Sequence, residues 1–92
     1  MIVHVGSVLH SYTGGRSEVE ASGRTLGAVL DDLDRRYPGL RFRVIDEQDR
    51  IRPHMRIWIG PAGSPAPQIA NALSAKVGEK DEVHVLGALS GG

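Results

Sequence analysis

The run Thr25-Leu26-Gly27-Ala28-Val29-Leu30-Asp31-Asp32-Leu33-Asp34-Arg35-Arg36-Tyr37-Pro38-Gly39 decides how the chain is built. Leu26, Val29, Leu30, Leu33 and Tyr37 recur at helical spacing and form one apolar stripe, while Asp31, Asp32, Asp34, Arg35 and Arg36 mostly occupy a solvated opposite side. Thr25 stands where an N-cap belongs, its hydroxyl able to accept from a first-turn amide. Pro38 disfavours helical geometry in Tyr37, and Gly39 releases the chain. The segment is one amphipathic helix with a defined start and stop.

On either side of it the period drops to two. Upstream, Met1 to Leu9 places Val3 and Val5 on one face and Ile2 and His4 on the other. A turn at Tyr12-Thr13-Gly14-Gly15 and a second strand over Ser17 to Ala21 complete a hairpin. Downstream, Arg41 to Asp46 alternates with Phe42 and Val44 on one face and predicts a third strand; Met55 to Ile59 predicts a fourth. Gly60 to Pro67, with three prolines and two glycines, is a loop; Gln68 to Leu73 suits a short helical turn; Glu82 to Leu86 is the last strand. Hairpin, helix, two strands and a final strand is the β-grasp order: an α+β domain with a mixed four- to five-stranded sheet, one long helix on one face, and the first and last strands parallel at the centre. Its core is predicted from Val3, Val5, Val19, Leu26, Val29, Leu30, Leu33, Ile57, Ile59, Val83 and Val85. The domain is expected to span residues 1–86, with 87–92 a flexible tail.

Composition narrows the function. A chain of 92 residues with 40% hydrophobic content suits one compact domain and leaves little room for a deep enzyme pocket. Eleven basic and eleven acidic side chains cancel, so no global field favours nucleic acid or a membrane surface. Cysteine is absent, which removes thiolate catalysis and disulfides. No basic leader or long apolar run is present, and the expectation is a cytoplasmic protein, monomeric when free.

The sequence ends on Ser90-Gly91-Gly92. A carboxylate on two glycines has no side chain near it and can thread a narrow active site that any Cβ would block. The last atom of the chain is thereby the first candidate for chemistry.

Several stretches together resemble the ubiquitin-like sulfur carriers of the ThiS/MoaD family, and within it most the CysO-type carriers of cysteine biosynthesis. Thr13-Gly14-Gly15, Val19 with Ala21-Ser22-Gly23, and Thr25-Leu26-Gly27-Ala28-Val29 with Asp32-Leu33 resemble the N-terminal half of the cysteine carriers. Arg36-Tyr37-Pro38-Gly39-Leu40, the approach of Gly78 and Asp81-Glu82-Val83 to the last strand, and Leu86 through Gly91-Gly92 resemble the wider family. Gly87 and Leu89 depart from it, standing where members usually carry Pro and Val.

The resemblance implies that Gly92 is adenylated by a separate E1-like enzyme that consumes ATP, then converted to a thiocarboxylate whose sulfur passes to an acceptor, a cysteine synthase-like enzyme by preference. The chain itself would bind no cofactor and supply no catalytic residue. Gly91, Ser90 and Leu89 would thread the partner's channel. A molybdopterin synthase small subunit, a thiamine or natural-product sulfur carrier, a ubiquitin-like protein modifier and a plain β-grasp interaction module remain open alternatives.

The alternation predicts a second functional surface. His4, Arg56, Trp58, His84 and Leu86 fall opposite the helix, on the uncovered face of the sheet. Trp and Arg are common interface anchors, so Trp58, Leu86, His84 and Arg56 are the predicted partner-binding residues, with Trp58 packed under the proline-rich loop and Leu86 capping the core as the competing readings. His4 and His84 fall on adjacent strands, but two imidazoles without a third ligand make no metal site, and none is expected.

Overall fold

Alternate valines set the sheet. In the computed structural model, which describes residues 1–87, strands β1 (Ile2–Val5) and β2 (Glu18–Glu20) pair antiparallel, with Val3 opposite Val19. Between them the chain makes a 3-10 turn over Ser7–Leu9 that drops Leu9 fully into the core, where a continued strand was expected. The return is organised by the buried Thr13, whose hydroxyl donates to the Arg16 carbonyl at 2.8 Å.

Helix α1 (Leu26–Arg36) follows, and its start is as the sequence predicts: the Ala28 amide donates to Thr25 Oγ1 at 3.2 Å. Two more first-turn amides find partners in a distant segment, Leu26 donating to the Ala75 carbonyl at 2.8 Å and Gly27 to the Leu73 carbonyl at 2.9 Å. That requirement corrects the expected helical turn over Gln68 to Leu73. The segment instead begins as strand β4 (Gln68–Ile69) on the edge of strand β3 (Met55–Pro61) and then turns, bringing the Leu73 carbonyl to the helix.

The expected third strand over Arg41 to Asp46 is also corrected. Leu40–Val44 is a short helix, α2. Leu40 and Val44, four residues apart, are both fully buried, a helical spacing, whereas Phe42 between them is 57% exposed and covered on one side by the Arg52 guanidinium, 4.7 Å from its ring. Gly39, at φ 94°, turns the chain out of α1, and the Asp34 carboxylate accepts from the Gly39 and Arg41 amides at 3.1 and 3.2 Å, fixing the new start.

Asp32 departs from its predicted place on the solvated helix face. It is buried, accepting from the Ser22 amide at 2.9 Å, from Arg36 Nε at 3.1 Å and from the Arg35 guanidinium. The Ser22 amide first, then Arg35 and Arg36, hold its carboxyl below the ordinary carboxylate value against a desolvation that pushes the other way. The carboxylate thereby staples the β2–α1 connection to the helix.

The last strand, β5 (Asp81–Gly87), lies parallel to β1 and antiparallel to β3, giving the order β2-β1-β5-β3-β4. It runs one residue beyond the expected boundary, with Gly87 opposite Met55. All eleven predicted core residues are buried, joined by Leu9, Leu40, Val44, Ile45, Met55 and Val77 among others. The helices cover one face; the other is open.

Candidate functional site on the open sheet face

The open face is written by the residues between the core positions. On β5 these are Glu82, His84 and Leu86; on β3, Arg56 and Trp58; on β1, His4. Register then decides which of them meet. His4 lies beside His84 across the parallel pair, and Trp58 beside His84 across the antiparallel one, so the indole and both imidazoles form one row.

The imidazoles of His4 and His84 stack with centroids 4.3 Å apart and planes 7° from parallel. His4 Nε2 and Glu82 Oε1 are 2.7 Å apart, a hydrogen-bonded ion-pair geometry with both side chains more than two-thirds shielded. Burial, then the neighbouring His4, push His84 below the ordinary histidine value, while Glu82 pulls the other way. A stacked pair of imidazoles admits one proton far more readily than two, because two cations at this spacing repel.

Beside this row the proline-rich loop folds back over the sheet. Together with His4, Trp58, Glu82, His84 and Leu86, its Pro61 and Pro67 line an open groove of about 520 Å³. Trp58 is half-buried and lines the groove together with Pro61 and Pro67 of the loop. Leu86 is 37% exposed at the groove's end, so it belongs to the open face rather than capping the core. Opposite Trp58, Ile69 on β4 adds a half-exposed apolar side chain.

Of the predicted partner-binding residues, the structure brings Trp58, His84 and Leu86 into one groove and leaves Arg56 out of it. Arg56 shares the face, but its Nη1 donates to the Pro53 and Met55 carbonyls at 2.6 and 2.9 Å. Glu82 was missed. The signal was its position two residues before His84 on the same strand, which puts both on one face. Gly92, Gly91, Ser90 and Leu89 lie outside the described residues.

The point of departure for that segment is defined. A Cβ on Gly87 would come within 2.9 Å of Val8 Cγ2, so the end of β5 presses against the 3-10 turn with no room for a side chain. Gly87, the last described residue, directly follows Leu86, which lines the groove.

Parallel first and last strands at the centre of a mixed sheet and one long helix on one face, with an open groove on the other, define a ubiquitin-like β-grasp protein. No family model matches the chain. It is 32% identical to the sulfur carrier protein CysO of Mycobacterium tuberculosis and equally to that of Mycobacterium bovis, over 98% of this chain and 96% of those proteins. The chain belongs to the CysO family of sulfur carrier proteins.

Solved structures agree. CysO in the BexX/CysO complex of Amycolatopsis orientalis is similar at a TM-score of 0.83 and 26% identity, covering 99% of this chain and 98% of that one. Mycobacterium tuberculosis CysO is similar at 0.81 and 28%, covering 96% and 98%. The first of these is a carrier seen bound to a partner protein.

Proposed function

We propose that this chain carries sulfur as a thiocarboxylate on Gly92 and delivers it in cysteine biosynthesis. Membership of the CysO family along nearly the whole chain is the observation that carries this reading. A carboxylate is a poor electrophile until a good leaving group is installed, so an ATP-dependent E1-like enzyme first forms the acyl adenylate; sulfide then displaces AMP. The thiocarboxylate is a soft, accessible nucleophile that avoids release of free sulfide.

In this division of labour the carrier performs no catalysis and the partner enzymes do. Threading Leu89, Ser90, Gly91 and Gly92 into a partner's channel costs about 1 to 2 kcal/mol of backbone freedom per residue. Contacts elsewhere must offset that cost, and the groove at Trp58, His84 and Leu86 supports such a role because Leu86, which lines it, stands three residues before Leu89 in the chain. A cysteine synthase-like acceptor and a cytoplasmic setting complete the proposal. No described helix is long and apolar enough to cross a membrane.

Intact mass of the protein after incubation with ATP, a sulfide source and the activating enzyme tests the carrier reading. The expected result is the gain for replacing one oxygen by sulfur, lost when Gly92 is deleted; an unchanged mass with an activating enzyme that works on CysO would overturn it. Trp58→Ala tests the groove. It should lower kcat/KM for adenylation about tenfold or more, as loss of a buried aromatic anchor does, and unchanged kinetics would remove the groove from partner binding.

A further inference from the structure

The three side chains at the centre of the open face form a donor set of a kind the carrier reading does not use. His4, Glu82 and His84 each offer one ligand atom, and these atoms all lie within 4.8 Å of one another. They sit on β1 and β5, the two central strands, locked in parallel register. The backbone that positions them is therefore hydrogen-bonded on both sides within the sheet.

We propose that His4, Glu82 and His84 bind a divalent transition-metal ion, Zn(II) by the chemistry of the donors, with a fourth coordination position open to solvent. Two imidazoles and one carboxylate are a recurrent three-ligand set for Zn(II) sites that keep a position for an exchangeable ligand. The distances suit it. A tetrahedral ion with donors at about 2.0 to 2.2 Å holds them about 3.3 to 3.5 Å apart. His4 Nε2 and Glu82 Oε1 already stand closer than this, at 2.7 Å. The two rings stack at 4.3 Å, so one of them turns out of the stack for both nitrogens to meet one ion.

Charge argues the same way. Among the described residues, Glu82 has no Lys or Arg partner; the one ion-pair partner of its largely shielded carboxylate is His4. A shielded carboxylate facing two stacked imidazoles lacks a permanent cation, and a divalent ion supplies it. On binding, the ion replaces the hydrogen between His4 Nε2 and Glu82, a proton passes from Nε2 to solvent, and neutral His4 keeps its one ring N–H at Nδ1. Trp58 and the proline loop wall one side and leave the outer position open.

The test is titration of the untagged full chain with Zn(II), followed by calorimetry and by the imidazole C–H signals in NMR spectra. One equivalent should bind, moving the His4 and His84 ring signals together while those of His10 and His54 stay in place. His84→Ala should weaken binding about tenfold or more, and Glu82→Gln should weaken it by a smaller factor. His54→Ala should change nothing. Absence of saturable binding, binding that survives both His4→Ala and His84→Ala, or movement chiefly of the His10 and His54 signals would overturn the site. The NMR readout needs no variant, so a substitution that fails to fold leaves the decision intact. Sulfur loading is not involved, and the carrier reading stands or falls separately.

Discussion

The two faces of one sheet carry opposite chemistries on alternate residues of the same strands. On β5, Val83 and Val85 are fully buried against the helices, while Glu82, His84 and Leu86, interleaved with them, meet the groove. On β3, Ile57 and Ile59 are buried and Trp58 between them faces outward. The covered face needs only apolar volume of the right size, which many sequences supply. The open face needs particular groups at particular places. Because the side-chain period of a strand is two, the face that holds the fold and the face that recognises can change independently.

The sharpest way to break that contrast is to damage the covered face. Leu30, fully buried on α1, should cost about 2 to 5 kcal/mol as Leu30→Ala, read as a shift in the urea midpoint at constant slope. A loss under 1 kcal/mol would mean that the helix does not seal this face.

The next effect in size belongs to the staple between β2 and α1. Asp32→Asn removes the charge that meets Arg35 and Arg36 and weakens the bond to the Ser22 amide, at an expected cost of about 1 to 3 kcal/mol. The folded protein holds the Asp32 carboxyl below its ordinary value of 3.8, so its contribution is present above that value and fades as pH falls through the lower, folded one. Acid titration of stability should therefore be shallower in Asp32→Asn than in the parent below about pH 4. Identical acid limbs would show that Asp32 holds no charge-dependent stability.

The smallest change sharpens the comparison from the other side. Ile69, half-exposed on β4 beside Trp58, should tolerate Ile69→Thr within about 0.5 kcal/mol. A cost as large as that of Leu30→Ala would mean that this face is packed rather than open.

How much of this was legible in the sequence follows the same division. The stripe from Leu26 to Leu33, the cap at Thr25 and the valines of β1 and β5 are periodic over enough residues to be unambiguous, and each stands as read. The stretch from Arg41 to Asp46 misled because period two and period four coincide there: Phe42 and Val44 mark a strand, Leu40 and Val44 a helix. The contacts that decide it, Asp34 on the first amides and Arg52 over Phe42, come from elsewhere in the chain. Gln68 to Leu73 misled for a related reason, since the Leu73 carbonyl at its end, with Ala75 just beyond, accepts from first-turn amides of a helix earlier in the chain. Asp32 looked solvated because sequence shows which face a residue takes and not what lies over it. The open-face row was legible as a set of residues; its juxtaposition with Glu82 needed the register of β1 against β5.

That register has a consequence for the birth of the protein. Val3 pairs with Val83, and β5 is the strand that joins β1 to β3. A ribosome that has made the hairpin and both helices still holds a sheet with its middle missing, two apolar edges waiting for a strand not yet synthesised. Folding of this domain therefore waits for synthesis of its last strand, which slots between its neighbours. The same strand leads directly to the residues proposed to carry sulfur, so a chain cut short before β5 completes neither the fold nor the carrier.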